Sequence, residues 1–283
     1  MLTLRRLARP HATREPTLFA AEPPPTNYDL HFRVAGVPIR VHPLFWLITV
    51  LLGASGGGAN QTLFPVLLWV IVVFVSIVIH ELGHVAAFHY YGVSSHVVLY
   101  SFGGLAVADS EMGWSGGRRA ARRGPGGDAM IAFAGPLAGF LFAALIVGVV
   151  YLAGYHLRFS TGLIEQLSFE IGPDNQPIPS PKLRELVHDL LFVNILWGIV
   201  NLLPVYPLDG GQIARAALTS ANPSEGMRQS LMLSTGVAGG MAILAAVKWH
   251  EMFMVLMFGY LAYTSYMVLQ QISGGGYGGG RGW

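Results

Sequence analysis

No cysteine occurs in the 283 residues, so disulfides and thiolate metal ligands are excluded, and any metal must be held by imidazole and carboxylate groups. Charge is nearly as scarce: Asp, Glu, Lys and Arg make up 11% of the chain, against about 25% in an ordinary soluble domain. Hydrophobic residues reach 53%. This balance implies a protein embedded in a lipid bilayer. The formal net charge is only +2, and the arginines fall in a few segments, which reads as membrane topology and not as a surface for nucleic acid. The basic start MLTLRRLARPHATREP lacks an apolar centre, so a cleaved secretory signal is not expected. No repeat of about 20–50 residues is evident.

Six apolar segments stand out against that sparse charge: 43–52, 63–90, 129–154, 186–203, 230–247 and 252–269. All but the first approach or exceed the ~18–20 residues that cross about 30 Å of hydrocarbon. The expected fold is therefore an all-α polytopic membrane protein of about six transmembrane helices. A short N-terminal β-hairpin is expected over 29–42, where apolar and polar residues alternate either side of Ala35-Gly36. Residues 1–27, rich in Arg, Pro and Thr, read as a flexible cytoplasmic tail, 28–272 as the membrane domain and 273–283 as a disordered Gly-rich tail. The arginines up to Arg40, with Arg118, Arg119, Arg122 and Arg123 after the second span, place the N terminus and that loop in the cytoplasm of a cell-membrane protein. The loop 155–185, with more acids than bases, is then the main extracytoplasmic piece.

At the inner end of the second apolar segment stands His80-Glu81-Leu82-Gly83-His84. Glu81 is the sole Asp, Glu, Lys or Arg between Arg40 and Asp109, and an ionisable residue at membrane depth is costly enough to suggest function. On one helix His80 and His84 share a face, so two imidazoles are spaced to bind one zinc ion while Glu81 activates a water. The bland reading is a chance match on a buried helix.

Two histidines are too few ligands, and a third must come from another span ending at the same depth. The stretch Asn201-Leu-Leu-Pro-Val-Tyr-Pro-Leu-Asp209-Gly210-Gly211 ends the fourth span on that side. Its prolines and glycines break the helix and free Asp209 to turn towards the metal. His89 lies about 180° around the helix from His80 and is given a structural or interfacial role. The third histidine of a metzincin is missing, because Tyr90 occupies its position. Glu111 ranks behind Asp209, since it sits in a polar Gly-rich loop without helical pattern. Gly135 and Gly139, four apart, permit close helix approach.

Taken together, HELGH on an apolar helix, FGGLA at 102–106, AGPLAGF at 134–140 and NLLPVYPLDGG at 201–211 resemble the site-2 proteases, the intramembrane zinc metalloproteases of peptidase family M50. The resemblance runs from about His31 to Leu269, in a compact form with no room for a PDZ insertion or a CBS domain. It implies one zinc per chain on His80, His84 and Asp209, with Glu81 as catalytic base. It also suggests that Asn201 contacts the substrate or transition state, although a helix-end Asn equally suits capping its own backbone. Many relatives carry Asn where Gly139 stands.

The activity so implied is hydrolysis of peptide bonds within or near the transmembrane segment of membrane-anchored substrates, as in regulated intramembrane proteolysis. Single-span membrane proteins or signal-peptide remnants are the implied partners. A helical substrate must unwind and needs an edge to pair with. The segment Ser101–Ala108, with Gly103 and Gly104 as substrate-binding positions, is expected to form a re-entrant β-loop between the second and third spans that offers this edge. A turn that merely closes the loop is the alternative. The competing class is non-enzymatic: a proteolytically silent protein that binds client helices, or a metal carrier. Intact HELGH and LDGG argue against the first, and ionisable groups converging on one depth argue against the second.

Overall fold

A computed structural model describes residues 22–55, 62–101, 103–108, 124–162, 167–173 and 176–274. The basic tail to residue 21, Glu111, the arginine group 118–123 and the Gly-rich end from 275 lie outside the described residues.

Helices dominate, with two small sheets added. The first sheet is built from β1 (Leu30–Val34), β2 (Val37–Val41), β3 (Ser95–Tyr100) and β4 (Gly103–Ala108), in that order. β1 and β2 form the expected hairpin, with Leu30 opposite Val41 and Val34 opposite Val37. Its two-residue turn places Ala35 at φ 49° and Gly36 at φ 84°, the left-handed pair that matches the twist of the flanking strands. β2 and β3 run parallel, Ile39 opposite Val97 and Val41 opposite Leu99. A parallel pair needs a long crossover, supplied here by the two helices α1 (Pro43–Ser55) and α2 (Leu63–Tyr90).

The period of two along β2 and β3 puts Ile39, Val41, Val97 and Leu99 on one buried face. There they pack with Phe45 of α1 and Val72, Val73 and Ile77 of α2. Each such side chain contributes about 1.5–3 kcal/mol on full burial, so the sheet is fastened to the second helix well before the HELGH turn is reached. β4 pairs antiparallel with β3, Leu99 opposite Gly104, and ends the sheet.

After β4 come α3 (Pro125–Leu152), the β5–β6 hairpin (Leu157–Ser160 and Ser168–Ile171) and α4 (Pro181–Phe192). A π-helical turn over Val193–Trp197 joins α4 to the short α5 (Gly198–Asn201). Then follow α6 (Asp209–Ala221), α7 (Gly226–Leu244), a second π turn over Ala245–Trp249 and α8 (Met252–Gly274).

Among the described residues, four helices are long and apolar enough to cross a membrane: Leu63–Tyr90, Pro125–Leu152, Gly226–Trp249 and Met252–Ser273. Of the other two expected spans, the first is the 13-residue α1. The fourth begins earlier than its apolar run, at Pro181, where Ser180 Oγ accepts from the Leu183 N–H and caps the helix. On α3, Leu137, Leu141, Leu145 and Val149 recur every four residues and are all exposed, whereas Gly135 and Gly139 lie on the buried side. An exposed apolar stripe of that length suits lipid and not water.

On the other side of the N-terminal sheet, Arg40 of β2 is buried and anchors the chain that precedes β1. Its guanidinium donates to Asp29 Oδ2 at 2.9 Å, Glu22 Oε1 at 2.7 Å and the Pro23 carbonyl at 2.8 Å. Asp29 also accepts from the Thr26 hydroxyl at 2.6 Å and the Thr26 N–H at 3.1 Å. The Thr26 donors first, then Arg40, hold the Asp29 carboxyl down to about 2. A carboxyl lowered by folding stabilises the docked segment above the ordinary carboxylate range of about 3.9, and that contribution is lost as pH falls through about 2. Hydrogen exchange over residues 22–34 is expected to stay protected at pH 4 and to accelerate on acidification towards pH 2. In Asp29→Asn that acid-dependent step should be absent.

Candidate metal centre

α2 presents His80, Glu81 and His84 on its C-terminal half, and their ligand atoms lie within 4.8 Å of one another. Nine residues beyond His80, His89 is exposed, as its position around the helix predicts. The third expected ligand arrives where the fourth helical run breaks. After Asn201 the chain turns through 202–208 and re-enters a helix at Asp209, the first residue of α6. This turn is held from outside by two serines. The Tyr206 N–H donates to Ser234 Oγ of α7 at 3.0 Å, and Ser265 Oγ of α8 donates to the Tyr206 carbonyl at 3.3 Å.

Asp209 is buried and faces both imidazoles. Its Oδ2 lies 3.1 Å from His80 Nε2 and its Oδ1 3.3 Å from His84 Nε2, while the two Nε2 atoms are 3.2 Å apart. Ligand atoms about 2.0–2.1 Å from one tetrahedral ion stand about 3.3 Å from each other. The separation of the two nitrogens, and that of each Asp209 oxygen from one imidazole, are close to that edge. The donor chemistry agrees with the distances. His84 Nδ1 lies 2.7 Å from the Ile131 carbonyl of α3, which can only accept, so Nδ1 carries a proton and Nε2 is the ring atom that faces the centre. Such a carbonyl behind a histidine orients the ring and raises its basicity as a ligand. Two imidazoles and a carboxylate, all hard or borderline donors, fit zinc.

Glu81 stands beside the three, its carboxylate within 4.8 Å of the histidine ligand atoms. It is buried on the adjoining side of α2, where the Ala106 backbone of β4 hydrogen-bonds to its carboxylate. Gly104, two residues earlier, is in contact with the same side chain, and any Cβ there would fall on the Glu81 carboxyl. Across the centre, Gly135 of α3 stands against His80 and His84, and a Cβ at that position would collide with both rings. The spacing of Gly135 and Gly139 points to close helix approach, but not to the side chains that require it at Gly135 and Gly104.

Each residue expected to act on zinc is thus gathered at one point, Glu81 beside it. Gly103 and Gly104 both open β4, but only Gly104 touches Glu81; Gly103 has φ 144° and empty space around its Cα, so its role is conformational. Asn201 is buried at the end of α5, and its side-chain amide has no hydrogen-bond partner among the described residues. Backbone capping therefore does not occupy it. The Ile131 carbonyl and the Ala106 backbone escaped the sequence reading, because main-chain groups leave no residue-type signal. Gly135→Ala should push the imidazoles apart and lower zinc affinity by about 10–100-fold, the range for disturbed outer-shell support. Competition with a chelator measures it.

The sequence profile of peptidase family M50 matches residues 68–243. The zinc metalloprotease MJ0392 of Methanocaldococcus jannaschii is 28% identical over 246 residues, covering 86% of this chain and 57% of that protein. A putative zinc metalloprotease, Rip3 of Mycobacterium tuberculosis, is 27% identical over 198 residues, covering 66% of this chain and 42% of its own length. The chain therefore spans about half the length of these relatives. Among solved structures, the site-2 protease from Methanocaldococcus jannaschii superposes with a TM-score of 0.51 at 25% identity, covering 85% of this chain and 94% of that one. With the matched segment running from within α2 to the end of α7, through every residue of the centre, the chain belongs to peptidase family M50.

Proposed function

We propose that this chain is an intramembrane zinc metalloprotease that hydrolyses peptide bonds within or near the transmembrane segment of membrane-anchored substrates. The observation that carries the reading is the tetrahedral-edge spacing of His80, His84 and Asp209, with the Glu81 carboxylate on the same helix next to two of them. Zinc bound at these three ligands would leave a fourth position for water, lower that water's pKa towards about 7 and polarise the scissile carbonyl.

The protein's own groups do the rest. Glu81 takes a proton from the attacking water and, as the C–N bond breaks, delivers it to the leaving nitrogen. Its burial excludes bulk water from the proton path. The unspent amide of Asn201 is a donor for the developing oxyanion or for substrate backbone. β4 has β3 on one side and, among the described residues, no strand on the other, so an unwound substrate segment can add to its open edge beside Glu81. Such an edge in a bilayer needs covering, and the substrate would cover it.

The finer reading takes its orientation from the arginine distribution and its substrates from the family resemblance. It has six spans, the N terminus in the cytoplasm of a cell membrane, β3–β4 as a loop re-entering the bilayer, one zinc per chain, and single-span proteins or signal-peptide remnants as substrates in regulated proteolysis. A proteolytically silent client-binding protein would need neither a spaced ligand set nor a carboxylate held beside it.

Glu81→Gln keeps the shape and removes the base. Cleavage of a single-span reporter in proteoliposomes should fall by about 100-fold or more, with zinc content per chain unchanged. Cutting at the wild-type rate by this variant would end the protease reading. Gly104→Val is expected to abolish cleavage by displacing Glu81. Gly103→Val, strained at its backbone but clear of Glu81, should lower cleavage while zinc is retained.

A further inference from the structure

The ligand histidines belong to a longer face of α2. Ser76, His80 and His84 recur every four residues and so stack along one side of the helix. Opposite them, in antiparallel order, stand Gly139, Gly135 and Ile131 of α3, also four apart. Two rungs of this ladder are already assigned: the Ile131 carbonyl accepts from His84, and Gly135 makes room for both rings. The third rung, Ser76 with Gly139, lies one turn away from the metal centre and is filled by a residue from neither helix.

That residue is Asn194, in the π turn that follows α4. Its Nδ2 donates to Ser76 Oγ at 2.9 Å and to the Leu190 carbonyl at 2.8 Å. Two acceptors on this atom fix which end of the amide it is. Its Oδ1 occupies the space over Gly139, 3.4 Å from where a Cβ would stand. Ser76 and Asn194 are both fully buried among apolar side chains. A buried polar pair there has no water to turn to, so the bond is strongly directional and tolerates little sliding of one helix against the other. π turns recur at functional sites, because the widened turn re-aims the side chains that follow.

We propose that Asn194 is a positioning residue for the metal centre: its bond to Ser76 sets the register of the histidine helix against the segment that leads, through Asn201, to Asp209. Two of the three ligands come from α2 and the third from that segment, so a slip between them of a few tenths of an ångström opens the 3.1 and 3.3 Å separations directly. Asn194 touches no ligand, and its effect passes entirely through Ser76. The inference rests on the zinc site proposed above.

The test measures zinc affinity by chelator competition, together with the visible spectrum of the cobalt-substituted protein, in wild type, Asn194→Leu, Ser76→Ala, Ser76→Thr and the Ser76→Ala/Asn194→Leu double variant. Asn194→Leu and Ser76→Ala should each weaken zinc binding by about 10-fold or more and alter the cobalt band, with the thermal midpoint of the metal-free protein little changed. Ser76→Thr, which keeps the hydroxyl, should bind as wild type. The double variant should be no weaker than the weaker single one, because both remove the same bond. Wild-type affinity and spectrum in folded Asn194→Leu, or additive losses in the double variant, would overturn the proposal. If Asn194→Leu does not fold, wild-type affinity in Ser76→Ala alone overturns it. A wild-type protein that takes up no zinc would instead overturn the metal site itself, and this inference with it.

Discussion

Four ionisable side chains that cannot reach bulk water must satisfy one another, and this constraint organises the interior. Glu81, His84 and Asp209 are buried and His80 nearly so. Isolated at such depth each would be costly. His80, His84 and Asp209 stand within about a hydrogen bond's length of one another, spaced to share one cation, with Glu81 beside them, and the helices that carry them must approach closely enough to allow it. The glycine surface of α3 follows from that demand, as does the broken backbone at 202–208. So does the small sheet, whose buried face ties the start of α2 to the N-terminal hairpin and whose last strand ends beside Glu81.

The polar residues of the bundle form a graded series outward from this point. The proposed metal ligands come first, then the groups that orient them: the Ile131 carbonyl behind His84 and the serines of α7 and α8 that pin the turn before Asp209. Beyond these lies the Ser76–Asn194 pair, one helical turn away. Each shell fixes the one inside it. The opposite, lipid-facing sides of the same helices need only be apolar, and their leucine stripes meet that requirement without specific contacts.

Much of this was legible in the sequence because the chemistry is concentrated in few residue types. With no cysteine and one acidic residue in a long apolar stretch, Glu81 and its flanking histidines could hardly be overlooked, and the Pro- and Gly-broken stretch before Asp209 marked a second irregular point. The hairpin around Ala35-Gly36 followed from alternation and turn chemistry. The joining of that hairpin to β3 and β4 in one sheet did not, since parallel pairing of β2 with β3 is a contact between segments more than fifty residues apart and no local pattern encodes it. Asn194 was visible as a polar residue within an apolar run, yet its role depended on a partner on another helix. The difference between Gly103 and Gly104 was invisible for the same reason: only the Glu81 side chain pressing on one of them tells them apart.

The central claim is that His80, His84 and Asp209 together hold one zinc ion. X-ray absorption at the zinc edge of the purified protein tests it most directly. The account predicts one zinc per chain, in a shell of two imidazoles and oxygen donors at about 2.0–2.2 Å without sulfur, and a changed shell in Asp209→Ala. Absence of zinc from the folded protein, a shell lacking imidazole, or a spectrum that Asp209→Ala leaves unaltered would contradict it.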